Sequence, residues 1–202
     1  MITEDRAAVQ GSTRERLITA GLNLFAEHGY RATTVGQIEQ AAGLQPRRGA
    51  LYRHFPSKEA LLVAAVHRYL DSVQAGRDEF VNRPPGDVRT EAVLVGHWVL
   101  AELDAQRQIS HLLEREGHRI PRQRDLFRAQ VSDPGYRAMA ELLKRWRGGA
   151  DDTDLDALAV AVLGAIVNFR RSTWTFGAPP LDRTDEEFVQ AWADQCAHLT
   201  RH

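Results

Sequence analysis

Apolar residues recur at helical spacing along almost the whole chain, and capping residues, glycines or prolines stand where the rhythm breaks. Leu17, Ala20, Leu24 and Phe25 share a face of a first predicted helix. Ser12 or Thr13 can cap it, Glu15 supports its first turn and Gly29 ends it. Thr33 or Thr34 caps a second helix, in which Ile38 and Ala42 stand four apart and Gly43 comes where the chain must turn. Leu51 and Phe55, again four apart, predict a further short helix held on the core. Arg47, Arg48, Tyr52 and His54 would stay outside it.

Ser57 caps a long fourth helix with Glu59 in its first turn and an apolar stripe through Leu62, Val66, Tyr69, Leu70 and Val73 towards Phe80. Arg83-Pro84-Pro85-Gly86 stops it. A fifth helix is expected over about Asp87 to Leu103, carrying Val93, Leu94, Trp98, Val99 and Leu100, and a sixth over Gln106 to Gly117 with Ile109, Leu112 and Leu113 inside. Pro121 opens a seventh, broken or kinked near Asp133-Pro134-Gly135 and resumed from Tyr136 to Trp146. After a Gly148-Gly149 and Asp151-Asp152 loop, Thr153 or Asp154 caps the eighth. From Ala157 to Phe169 that helix is apolar all round, with small residues at Ala161, Gly164 and Ala165, so both its sides must be covered. A ninth, about Thr184 to Leu199, has Phe188, Trp192, Cys196 and Leu199 on one stripe. Strand-like alternation and internal repeats are absent, so the expectation is an all-α fold of about nine helices. The last two helices would cover their own core and a second subunit, which places Leu158, Val162, Ala165, Ile166, Phe188, Trp192, Cys196 and Leu199 in a homodimer interface.

Charge sharpens this layout. The net charge is −1 over 202 residues, yet the segment through Lys58 is net positive and the remainder net negative. Cys196 is the single cysteine, which excludes an intrachain disulfide, and its apolar stripe favours packing over redox chemistry. The first residues lack the apolar region of a signal peptide and Ala157 to Phe169 is too short to span a bilayer, so a cytoplasmic protein without a membrane partner is expected. His67, His97, His111 and His118 show no i, i+4 pair, and no cofactor or metal site is expected. Nucleophile-elbow, phosphate-loop and HExxH motifs are absent, which disfavours an enzyme.

A short helix with an apolar inner edge and a basic, hydrogen-bonding outer face suits the major groove of DNA. The predicted contacts are Thr33, Thr34, Gln45, Pro46, Arg47, Arg48, Gly49, Tyr52, Arg53, His54 and Lys58. Either arginine can read guanine and Gln45 can approach adenine. Tyr52, His54 and Lys58 are assigned to phosphates, and the two threonines to capping, phosphate contact or both.

Leu24-Phe25-Ala26-Glu27-His28-Gly29-Tyr30, Thr33-Thr34-Val35, Ile38, Ala42-Gly43-Leu44, Leu51-Tyr52-Arg53-His54-Phe55 and Ser57-Lys58-Glu59-Ala60-Leu61-Leu62 together resemble the DNA-binding end of the TetR family of bacterial transcriptional repressors. The turn after Gly43 is about two residues longer than the family pattern, and Gln45 stands where that pattern often has Ser. The resemblance implies a three-helix helix-turn-helix domain over 1–56, with an arm at 1–11, and a larger helical effector-binding and dimerisation domain over 57–202. It further implies a dimer on a near-palindromic double-stranded operator, released by a small-molecule effector. Among the middle helices His97, Trp98, Phe127, Asn168, Phe169 and Trp174 are the candidate pocket residues. Two other readings remain open, an effector-independent architectural DNA-binding protein of the same fold, and a helical ligand-binding protein or enzyme that has lost DNA recognition.

Overall fold

The computed structural model describes residues 12–46, 48–81, 86–148 and 155–200. Expectations placed on the arm, on Arg47, on Arg83-Pro84-Pro85 and on the loop with its Thr153 or Asp154 cap lie outside the described residues, as do the side chains of Leu70 and Phe80. The helices are α1 (Thr13–His28), α2 (Val35–Ala41), α3 (Lys58–Val81), α4 (Val88–Ala105), α5 (Arg107–Glu116), α6 (Pro121–Phe127), α7 (Asp133–Trp146), α8 (Asp156–Phe176) and α9 (Asp185–Leu199). A π-helical turn, Arg128–Ser132, stands between α6 and α7 in the chain, and the described residues hold nine α-helices, or eight if that pair counts as one. The chain is all-α among the described residues.

The helix ends are written locally. Ser12 accepts the Glu15 N–H, and Ser57 accepts the Ala60 N–H. Thr184 and Glu187 form a reciprocal capping box, and Asp87 accepts the Thr90 N–H. The predicted break near Pro134 is the π turn just before it. Proline lacks the N–H that would bond four residues back, and one wide turn absorbs that loss.

Two compact units result, and their division differs from the expected cut after residue 56. The first joins residues 1–71 to 106–127, the second 72–105 to 128–202. Glu116, at the end of α5, accepts the Tyr30 N–H at 2.8 Å, while Arg115 donates to the carbonyls of Ala26 and Glu27 at the end of α1. These bonds join segments 86 or more residues apart in sequence, which periodicity cannot foresee.

In the second unit α4 lies on α9, and α8 on α7 and α4. The inner face of α4 is Ala92, Val95, Gly96, Leu100 and Leu103, a rotation from the expected set. Val93, Trp98 and Val99 are partly buried and Leu94 is 45% exposed. Close approach decides the face, since a Cβ on Gly96 would stand 2.9 Å from Val189 Cγ1. Gly96 therefore lets α4 approach α9 closely at Val189 and Trp192.

The expected interface set needs correction. Val162, Ile166, Trp192 and Cys196 are buried in their own unit. Leu158, Phe188 and Leu199 pack against that same core. The Trp192 indole N–H donates to the Val162 carbonyl at 2.9 Å, and the Phe188 ring stacks on Phe169 at 4.0 Å between centroids. Burial pushes the Cys196 thiol up to about 12. Ala165 alone of the set lies on the exposed side of α8, with Ala157, Val160, Ala161 and Asn168. Val160 is 52% exposed, and a Cβ added at Gly164 would meet nothing within 4 Å. A helix apolar all round has no face preference legible from periodicity. Val162, Ile166 and Phe169 went inward with Ala159, while Val160 was left outside with Ala157, Ala161 and Ala165.

Glu102, half-buried on α4, has one carboxyl oxygen enclosed without a hydrogen bond, and burial raises its carboxyl above the usual range against the pull of Arg77. A raised folded-state value makes ionisation cost stability as pH rises through it. Glu102→Gln is therefore expected to raise the urea midpoint at neutral pH. The gain should fade as pH falls below the ordinary carboxylate range.

Candidate nucleic-acid interface

The site is built on α2. Thr34 caps it, accepting the Gln37 N–H while the Gln37 side chain accepts the Thr34 N–H. Ile38 is fully buried and anchors the helix. At its end Gly43 adopts φ +71, where the Gly43 N–H reaches the Gln40 carbonyl and the Leu44 N–H reaches the Glu39 carbonyl. That paired bonding is the Schellman stop, and it needs a left-handed residue at Gly43.

The segment beyond this stop is not the α-helix expected from Leu51 and Phe55. Among its described residues only Leu51–Arg53 is helical, as a single 3-10 turn. Pro46 lacks a donor, and Gly49 takes φ +68, so regular helix cannot run through the lengthened bend. Leu51 and Phe55 do hold the turn on the core, at 0% and 3% exposure. Arg14 lies over the Phe55 ring, 5.2 Å from its centroid.

On the outer side Gln45, Pro46, Arg48, Tyr52, Arg53 and His54 are all exposed, Tyr52 to 60%. Gly49 is half-buried and contributes conformation only. Three cationic or aromatic groups thus stand beside two hydrogen-bonding side chains on one short segment, a composition suited to phosphates and base edges.

Two predicted contacts turn inward. Thr33 is 1% exposed, and its hydroxyl donates to the carbonyls of Gly29 and Leu24. It holds the loop between α1 and α2, which leaves Thr34 as the threonine at the surface. Lys58 donates to the carbonyls of Tyr30 and Thr33 at 2.6 and 2.7 Å and lies 4.4 Å from the Tyr30 ring centroid. Burial lowers its ammonium below the usual lysine range, with Glu116 opposing. An ammonium so committed braces the domain instead of clamping a phosphate.

Periodicity missed Glu39, which is polar, 0% exposed and inside the same unit. Its side chain accepts the Leu51 N–H at 3.0 Å. No local signal announces a partner 12 residues away across an irregular bend.

Of the six candidate pocket residues, Phe169, Trp98 and Trp174 share the hydrophobic core of the second unit. Phe127 belongs to the first unit, stacked with Tyr69, and the other five to the second. His97 is exposed and pairs with Glu186 at 3.0 Å. Asn168 is exposed on the outer side of α8, while Phe169 is in the core. The Trp174 indole N–H donates to Asp104. Trp98 is partly buried beside Gly76 of α3. Adjacent helix positions are rotated by about 100°, enough to put Asn168 outside and Phe169 inside.

Residues 17–65 match the family model described as bacterial regulatory proteins, tetR family. The HTH-type transcriptional repressor KstR2 of Rhodococcus jostii is 39% identical over 69 residues, which is 34% of this chain and 33% of that protein. The uncharacterized HTH-type transcriptional regulator YerO of Bacillus subtilis is 35% identical over 79 residues, 37% of this chain and 27% of that one. The chain thus spans about a third or less of these curated relatives in its matches. Fold likeness extends further. A tetR-family bacterial regulatory protein from Rhodococcus RHA1 superposes with a TM-score of 0.70 at 17% identity, covering 94% of this chain and 97% of that one. Reduced NemR of E. coli gives 0.69 at 14% identity, covering 93% and 97%.

Proposed function

With residues 17–65 forming a TetR-family DNA-binding domain, we propose that the chain is a transcriptional regulator, most simply a repressor, that binds a near-palindromic operator as a homodimer and is released by a small-molecule effector. The observation that carries this reading is the exposed row Gln45, Arg48, Tyr52, Arg53 and His54, held at its back by buried Leu51 and Phe55. Arg48 and Arg47 supply base or phosphate contacts; Gln45 reads an adenine edge; Tyr52, Arg53, His54 and Thr34 fix register on the phosphates. The name of the matched KstR2 relative supports the repressor sense.

The dimer seam is reassigned to the outer side of α8, around Val160, Ala161, Gly164 and Ala165. An apolar strip at the surface supports it, since such strips mark association sites. Two reading segments in successive major grooves then need half-sites about one turn apart. Effector and operator must weaken each other's binding by the same factor. No described helix is long and apolar enough to cross a membrane, and the proposed compartment is the cytoplasm.

The test is fluorescence anisotropy on duplexes from the intergenic DNA flanking the gene, against a scrambled duplex of equal composition. Nanomolar binding to one duplex with a clear preference over the scramble is expected. Micromolar binding to both would overturn the reading. Ala161→Arg with Ala165→Glu is expected to shift the light-scattering mass from two protomers to one and to remove operator binding with it.

A further inference from the structure

Glu39 closes the lengthened bend at both of its ends. Its backbone carbonyl accepts the Leu44 N–H at 2.9 Å, where the chain leaves α2. Its carboxyl Oε1 accepts the Leu51 N–H at 3.0 Å, where the 3-10 turn begins. Between these points lies the stretch that carries Gln45 and Arg48, and directly after it come Tyr52, Arg53 and His54. Both partners are enclosed, Glu39 and Leu51 each at 0% exposure.

The first N–H groups of any helical turn lack an internal partner, and a buried one without an acceptor costs free energy comparable to a lost hydrogen bond. A turn of three residues cannot hold its own position. The apolar contacts of Leu51 and Phe55 fix how deep it sits, but they are non-directional. The carboxyl bond is directional and ties the start of the turn to a rigid helix.

We propose that Glu39 is a positioning residue for DNA recognition, and that its carboxyl sets the aim of Arg48, Tyr52, Arg53 and His54 towards the duplex without touching DNA. The inference rests on the DNA-binding reading above and adds a division of labour. Exposed cations supply affinity for any duplex, whereas the buried carboxyl supplies the alignment on which sequence preference depends.

The experiment compares full-length wild type, Glu39→Gln and Glu39→Ala on a duplex enriched from a random library with the wild-type protein, and on a scrambled duplex. Glutamine keeps an acceptor oxygen, so its preference for the enriched duplex is expected to stay within about threefold of wild type. Alanine is expected to lose about 30-fold or more on the enriched duplex, measured well below its own melting temperature. Its binding to the scramble and the salt dependence of that binding should not change. Equal loss on both duplexes, or unchanged preference in Glu39→Ala, overturns the proposal.

Should the alanine variant fail to fold, amide exchange of wild type and Glu39→Asp decides. A Leu51 amide protected in wild type and released in the shortened variant, with α1 protection unchanged, supports the tie. A Leu51 amide already exchanging at loop rates in wild type refutes it. Failure of the library to yield any preferred duplex would instead refute the DNA-binding reading itself, so the two failures are distinguishable.

Discussion

Replacing Arg47 and Arg48 together with alanine is expected to lower affinity for the operator by about 100-fold or more, with the fold intact. Each well-aligned arginine contact to a base contributes about 1–3 kcal/mol of discrimination, and two such losses compound. Arg48 is exposed, so its removal takes nothing from the core, and the thermal midpoint should move by less than about 2 °C. Anisotropy titrations at two or more salt concentrations separate the roles. An arginine that reads a base lowers affinity for the operator and relaxes preference at one position. An arginine on a phosphate weakens all duplexes alike and reduces the salt slope by about one. Unaltered operator binding in the double variant would overturn the assignment of Arg47 and Arg48 as DNA contacts. Absence of binding in wild type and variant alike would leave the reading in which the domain keeps its shape without recognising DNA.

How far the residues alone reveal this arrangement depends on how local each cause is. The starts of α1, α2, α3 and α9 are visible in Ser12, Thr34, Ser57 and Thr184 because a cap bonds only two or three residues ahead. The stop at Gly43 is equally local. The face of α8 is not, since every side is apolar and only packing selects Val162, Ile166 and Phe169 for the interior. The choice between Thr33 and Thr34 turns on one residue of register, and the structure gives the surface to Thr34. The lengthened turn was legible as an insertion. That it would hold a single 3-10 turn, tied to a buried carboxyl, was not, because Leu51 meets Glu39 across an irregular bend. The attachment of residues 106–127 to residues 1–71 has the same origin, a contact far apart in sequence.

The largest loss of stability is expected from Glu91→Ala. Glu91, in the first turn of α4, is 4% exposed and accepts from two residues at the end of α7. The Arg145 guanidinium donates to one carboxyl oxygen and the Trp146 indole N–H to the other, the latter at 2.9 Å. Burial lowers the Arg145 guanidinium below its usual range, a cost of enclosing charge that the Glu91 carboxyl offsets. Truncating the carboxyl leaves a largely enclosed cation and a buried indole N–H without it, at a cost of about 3–5 kcal/mol. Against a total of about 5–15 kcal/mol this removes much of the margin, and the thermal midpoint should fall by about 10 °C. The double variant Glu91→Leu with Arg145→Leu provides the control, because a buried ion pair replaced by apolar side chains of similar volume is often neutral in stability. Urea denaturation should therefore place the double variant between wild type and Glu91→Ala, because the buried Trp146 indole N–H still lacks its acceptor there while the enclosed charge is gone. If the single and double variants were equally destabilised, the carboxyl would matter through helix packing or the Trp146 hydrogen bond, and the charge of Arg145 would be incidental.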